Sequence, residues 1–323
     1  MQRLRNDDRG ATTVVVALLM VPLLVFAALT IDVAAMHTDR QQLQTGADAA
    51  ALAIAQDCAG GDCEPSGATA QTMAAANKND GEATGDVAEL DPAAGRVTVR
   101  TDAVREHWFA PIIGIDQTSL QARASARWGY PTGGSTILPL AIYVCELTVQ
   151  TGSTEIREDG ELVGIDLPEA TQEQTIQFTK ASNTDCTPNS GNVVPGGFGW
   201  LRPGTSGCGS ISTATGDWVR TDTGNNSPCE QATFQDWLGE PVLVPLFDDA
   251  RDNGSGAQYR IIGYAAFTLT GYRFPGMSHN ASQCTGGDNC IRGTFGRFVD
   301  LSDDFDYSPD GPRFGVAVVA LTE

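Results

Sequence analysis

Lysine is almost missing from this chain. Of twenty basic side chains only Lys78 and Lys180 are lysines, and the twenty stand against forty Asp and Glu, for a formal net charge of -20. A nucleic-acid backbone is held by clustered Lys and Arg, so this balance excludes nucleic acid as a partner. Histidine is nearly as scarce, at His37, His107 and His279. No G-x-S-x-G turn is present to seat a hydrolase nucleophile. No CxxC pair occurs either, so Cys284, Cys290 and His279, though close in sequence, do not complete a zinc set of conventional spacing.

What the chain does have is one long apolar run. Residues 11–31, ATTVVVALLMVPLLVFAALTI, carry no charge over 21 positions, and a helix of that length spans roughly 30 Å of hydrocarbon. The run exceeds the apolar region of a secretory signal peptide, and Pro22 is tolerated in a membrane helix. Arg3, Arg5 and Arg9, offset by Asp7 and Asp8, give residues 1–10 a net +1 and leave -21 for the rest. The positive-inside rule then makes 1–10 a cytoplasmic stub and puts everything after the span outside. The expected location is a cell membrane crossed once.

Nothing stops the helix at the membrane surface. Met36, Leu43, Ala47, Ala50 and Ile54 recur at helical spacing with Arg40 as the one polar member of the stripe, which predicts one helix over 11–57. Its small residues suit close packing, on the chain's own domain or on another subunit.

The run RGATTVVVALLMVPLLVFAALTIDVAAMHTDRQQLQTGADAAALAIA resembles the N-terminal segment of TadE/TadG-like proteins of the Flp (tight adherence) pilus machinery. The likeness rests on Arg9-Gly10, the single span, Ile31-Asp32-Val33 at its exit, and then Arg40, Leu43, Gln44 and the Ala47-Asp48-Ala49-Ala50-Ala51-Leu52-Ala53 run. Members of that family include proteins cut like type IV prepilins, after a Gly before the apolar segment and with a Glu five residues on. Gly10 and Ala11 stand at the corresponding bond, but the fifth residue is Val15. An apolar Val cannot pair with a neighbouring N-terminal amine inside an apolar bundle, so an uncut anchor is expected. The resemblance implies other Tad/Flp assembly proteins, the membrane and the cell wall as partners.

Residues 32–130 read as the helix extension plus a small pilin-like α+β unit. Helix 68–76 is followed by two alternating runs around Val97-Val99-Thr101 and Leu120-Ala122-Ala124, with Trp108 to Ile113 as a short helical turn capping the sheet. Residues 131–136, Pro-Thr-Gly-Gly-Ser-Thr, read as a linker. From 137 to 323 the signals are mostly β: runs at 138–149, 173–179, 242–247, 259–274, 291–298 and 314–321, with one helix at 229–238. Apolar residues on both faces of 259–274 mark a central strand, with bulges or close contacts at Gly263 and Gly271. The expected fold is therefore α+β, a long membrane helix with a small α+β unit and then a disulfide-containing β-rich domain of sandwich or barrel type.

Eight cysteines outside the membrane suit disulfides, and eight allow 105 connectivities. The local pairs expected are Cys58–Cys63 and Cys284–Cys290, leaving Cys145–Cys186 and Cys208–Cys229 in sequential order. Two acidic clusters invite calcium: Asp248, Asp249, Asp252 and Asn253 before Gly254, and Asp300, Asp303, Asp304, Asp306 and Asp310. Neither fits an EF-hand, since the first has no Glu at the right distance and the second has Pro309 where the Gly should stand. No catalytic, metal or cofactor residues are assigned and no cofactor is expected. The favoured function is a non-enzymatic, surface-exposed component of Flp/Tad pilus assembly. The alternatives are a tethered enzyme acting on the cell envelope and a calcium-dependent adhesive module.

Overall fold

A computed structural model of the chain describes residues 9–168, 170–178, 186–188, 190–191, 197–202, 208–222, 227–252, 254–284, 289–299 and 305–322. The apolar run and the alanine-rich stretch form one unbroken helix, α1 (Arg9–Ala59), of 51 residues and roughly 75 Å at the α-helical rise. Pro22 lies inside it without ending it. The first half is exposed all round, as at Leu23 (66%) and Phe26 (67%). By length and composition it is the one described helix able to cross a membrane.

Beyond Ile31 one face of α1 is buried. Leu43, Ala47, Ala50 and Ile54 are covered, joined by Ala51 and Ala55. Arg40, expected on this stripe, is exposed. Asp39 is buried instead, because the helical turn that carries Leu43 inward points position 39, four residues earlier, the same way. Helix α2 (Ser66–Ala76) crosses α1 closely, since a Cβ on Gly46 would lie 3.2 Å from the Ala74 Cα.

Under these helices runs a sheet of β1 (Thr84–Asp91), β2 (Arg96–Glu106) and β3 (Gln117–Thr136), joined antiparallel in that order. Alternation decides its faces: Val97, Val99, Ala124 and Ala126 turn inward to the α1 alanines. Residues 131–136, expected to be a linker, are the last six residues of the 20-residue strand β3. Backbone pairing overrides the Pro and Gly content there, for residues 133–136 pair with a later strand of the β-rich region.

That region contains β4 (Leu140–Tyr143), α3 (Val144–Thr151), β5 (Thr154–Glu158), β6 (Glu161–Asp166), β7 (Gln174–Gln177), β8 (Phe198–Leu201), β9 (Ile211–Ala214) and β10 (Trp218–Asp222). It continues with α4 (Gln231–Asp236), β11 (Pro241–Arg251), β12 (Gln258–Phe274), β13 (Met277–His279), β14 (Cys290–Gly296), β15 (Phe298–Val299), β16 (Phe305–Ser308) and β17 (Ala317–Thr322). Where a strand was expected over 138–149, a short strand hands over to the helix α3, which turns Leu147 into the core. Strand pairings close a ring, β10-β8-β4-β11-β12 and back to β10, and β14 and β7 extend from β12.

The long strand β12 is the axis of the second core. Its register slips at Ile262, beside Gly263, and again at Thr270, beside Gly271. Each bulge reverses which side faces which core. Tyr259, Ile261, Tyr264 and Ala266 therefore share one cluster, whereas Ala265, Phe267, Leu269, Tyr272 and Phe274 share the other. A Cβ on Gly263 would collide with the Phe314 ring. The last strand, β17, leaves this domain and returns to the first sheet, antiparallel to β3 and parallel to β15. Residues 137–323 thus do not form a unit closed on itself.

Candidate functional site at the exit of the long helix

Asp32, the first residue after the uncharged run, is 3% exposed. Its Oδ1 accepts the Trp108 N–H at 3.0 Å, and its Oδ2 accepts those of Phe109 at 2.9 Å and Ala110 at 2.8 Å. Those donors open the 3-10 turn Ala110–Ile113, where N–H groups have no partner within the turn. The carboxylate thus does the work of an N-cap from a residue far away in sequence. Seven residues on, Asp39 meets Arg105 at 3.3 Å, and the Arg105 guanidinium lies 5.1 Å from the Trp108 ring centre. The base of the loop is closed by His107, whose N–H donates to the Asp116 carbonyl at 2.9 Å.

Further up, Thr101 donates its hydroxyl to the Leu43 carbonyl at 2.9 Å, and Gln44 donates to the Arg123 carbonyl at 3.1 Å. At the top the Tyr130 hydroxyl donates to the Ala59 carbonyl at 3.0 Å. Burial raises the Tyr130 pKa above the ordinary tyrosine value, so the hydroxyl stays a donor. Asp32, Thr101, Gln44 and Tyr130 together fasten α1 to its sheet along the helix's whole upper half. Chemically this is a docking site: each carboxylate is matched to fixed donors.

Residues 10–57 match the family model for Tad, Flp pilus-assembly TadE/G-like. This segment is TadE/TadG-like. No curated protein and no solved structure matches the chain. The Tad segment ends two residues short of the end of α1, so the matched region and the docked rod are nearly the same object. Asp32 and Gln44, both among the residues that carried the sequence resemblance, are the side chains that bind α1 to the β2–β3 loop and to β3. Asp39 and Arg105 were not legible beforehand. The available signal was that Asp32, Asp39 and Leu43 share one helical face.

The remaining expected site residues are spread over the molecule. Gly10 and Ala11 lie in the first turn of α1, and Val15 is 53% exposed. The eight cysteines are joined as Cys58–Cys63, Cys145–Cys186, Cys208–Cys229 and Cys284–Cys290, with Cα separations of 4.2, 5.7, 4.5 and 5.9 Å. Cys58–Cys63 closes the turn after α1, and Cys145–Cys186 ties the start of α3 to a distant loop.

Two carboxylates of the first acidic cluster, Asp248 and Asp249, are already partnered. Asp248 holds Arg260 through two hydrogen bonds. Burial opposes ionisation of Asp249, yet hydrogen bonds from the Ser190 hydroxyl and N–H and from the Ala250 N–H outweigh it and hold the carboxyl below the ordinary carboxylate range. Burial first, then the charges of Asp248 and Asp249, push the nearby Tyr143 hydroxyl up to about 12. Asn253, Asp300, Asp303 and Asp304 lie outside the described residues, while the Asp306 carbonyl accepts from Thr132 and the Asp310 N–H donates to Ser308. Among the described residues no group of three or more His, Cys, Asp or Glu gathers as a metal cage.

A cleft of about 1020 Å³ lies between the two units, bordered by Asp57, Asp62, Tyr130, Asp166, Arg297 and Arg313. None of the three histidines reaches it. His37 contacts Gln41, His107 contacts Thr118, and His279 lies over the Tyr272 ring.

Proposed function

We propose that the protein is a membrane-anchored, non-enzymatic subunit of Flp/Tad pilus assembly, with its N-terminus cytoplasmic and both folded units outside. The observation that carries this reading is that the TadE/G-like segment is one rigid helix with two different halves. Its lower half is bare and apolar. Its upper half is fastened by Asp32, Thr101, Gln44 and Tyr130 to a folded sheet. A rod of that kind transmits position between a bilayer and a domain above it. The net +1 of residues 1–10 against -21 beyond them supports the orientation.

The alanine stripe is occupied by the chain's own sheet. Contacts to other assembly proteins therefore fall to the bare half of α1 inside the membrane and to the surface of the β-rich unit, which would face the cell wall and the exterior. The three separated histidines and the cleft's lack of one favour this reading over a tethered hydrolase of the Ser–His–Asp type.

The test is topology and genetics together. Full-length protein should resist carbonate extraction from membranes, and protease added outside intact protoplasts should digest the β-rich unit. Deletion should abolish Flp-type pili, and the protein should co-purify with pilus assembly proteins. Protein released by carbonate, or pili unchanged by deletion, would remove the proposal.

A further inference from the structure

We propose that the β2–β3 loop is a second membrane contact, a foot that sets Trp108, Ile112, Ile113 and Ile115 into the interfacial layer of the bilayer that α1 crosses. The inference rests on the anchor reading above and adds a surface to it. These four side chains are 67%, 78%, 57% and 47% exposed, within eight consecutive residues. Soluble surfaces scatter single apolar residues, whereas a contiguous apolar patch marks an interaction site.

The depth of the patch follows from the Asp32 clamp. With the span ending at Ile31, Asp32 stands where the hydrocarbon ends, and the Trp108 backbone nitrogen is 3.0 Å from its Oδ1. That level is where tryptophan is enriched in membrane proteins, its ring apolar and its N–H wet. The loop is held against α1 at Asp32, whose neighbours Ile31 and Val33 are 46% and 65% exposed. Arg105, stacked over Trp108 and paired with Asp39, lies at headgroup height. Exposed Glu106 and Asp116 flank the loop; as carboxylates they resist entering hydrocarbon and limit the depth to the interface.

The loop is built to keep its shape. Pro111 sits in the 3-10 turn and Gly114 ends it at φ 86°, a left-handed conformation suited to glycine. A single helix leaves a domain free to turn about the helix axis. A foot on one side removes that freedom and fixes which face of the protein is offered to its neighbours.

The experiment uses the full chain in phosphatidylcholine vesicles containing lipid brominated near the carboxyl end of its acyl chains. Vesicle flotation is read first, then tryptophan quenching in wild type and Trp108→Phe. The expected result is co-flotation of both proteins, with the quenching seen in wild type largely lost in Trp108→Phe. Ile112→Asp/Ile113→Asp, with near-UV circular dichroism confirming its fold, should float but lose quenching at Trp108. Failure to float would overturn the anchor and the foot together. Flotation with wild-type quenching equal to that of Trp108→Phe would overturn the foot alone. A photoreactive benzophenone side chain replacing Ile112 should yield lipid adducts; crosslinked dimers in their place would assign the patch to a second copy and overturn the lipid assignment.

Discussion

The Asp32 Oδ2 and the Ala110 N–H, separated by 78 positions, lie 2.8 Å apart, and this contact joins the membrane exit of α1 to the tip of the sheet. Asp32→Ala removes the acceptor for three backbone donors at once. Hydrogen exchange should quicken at the amides of Trp108, Phe109 and Ala110, while amides in the middle of β2 and β3 keep their protection. Asp32→Asn, which keeps an acceptor oxygen but no charge, should fall between. Unchanged exchange at 108–110 in the alanine variant would show that the turn holds itself.

The α1 alanines are tight because they meet the sheet, so enlarging one should cost stability. Ala50 is fully buried. Ala50→Leu should destabilise by about 1–3 kcal/mol through overpacking. Arg40→Ala, on the exposed face, should change stability by no more than about 0.5 kcal/mol. Thermal unfolding of the detergent-solubilised proteins separates the two. A loss for Arg40→Ala as large as that for Ala50→Leu would mean that Arg40 also packs against the sheet.

That contrast also shows what the sequence could reveal. The long helix was readable because an uncharged run and an alanine period are local signals. Placing Arg40 on the inner face went wrong by one residue because Asp39 is tolerated inside only through Arg105, which lies 66 positions away. Trp108 to Ile113 were readable as apolar bulk in a short helical turn, which the structure has at Ala110–Ile113, but the exposure of Trp108 and Ile112 carries no local signal, since the turn is set by Asp32, 76 positions before Trp108. The Gly and Pro residues at 131–136 suggested a linker, since their strand partners are far along the chain. At 144–151 a short apolar run fitted strand and helix alike, and packing against the second core decided for α3.

The disulfides should differ in weight according to the loops they close. Cys145–Cys186 spans 41 positions and Cys58–Cys63 spans five. Chain entropy assigns about 4 kcal/mol to the first and about 2 kcal/mol to the second. Urea unfolding of the Cys145→Ala/Cys186→Ala and Cys58→Ala/Cys63→Ala variants should show the larger loss in the former. The reverse order would point to enthalpic terms outweighing loop closure.

Asp249 should make stability depend on pH in a defined window. Its folded pKa lies below the ordinary carboxylate value, so its contribution is fully present above the unfolded pKa of about 3.9 and is lost as the pH falls through the lowered folded value. Wild type should thus exceed Asp249→Asn in stability at neutral pH, with the gap closing only below about pH 4. A constant gap down to about pH 2 would indicate that shape, not charge, matters there.

The final strand should matter more to the first sheet than to the domain that precedes it. Strand β17 lies beside β3, and its Ala317 and Val319 enter the same cluster as Ala47, Ala50 and Ile54 of α1. Deleting residues 317–322 exposes the β3 edge at 125–129 and uncovers part of the α1 alanine face. Hydrogen exchange should therefore rise across 125–129 and in the upper turns of α1, whereas amides of β11 and β12 remain protected by their own ladder. If β12 loosened as well, the two units would unfold as one cooperative body, and the chain's return to α1 would be a brace for both folded units and not for the docked rod alone.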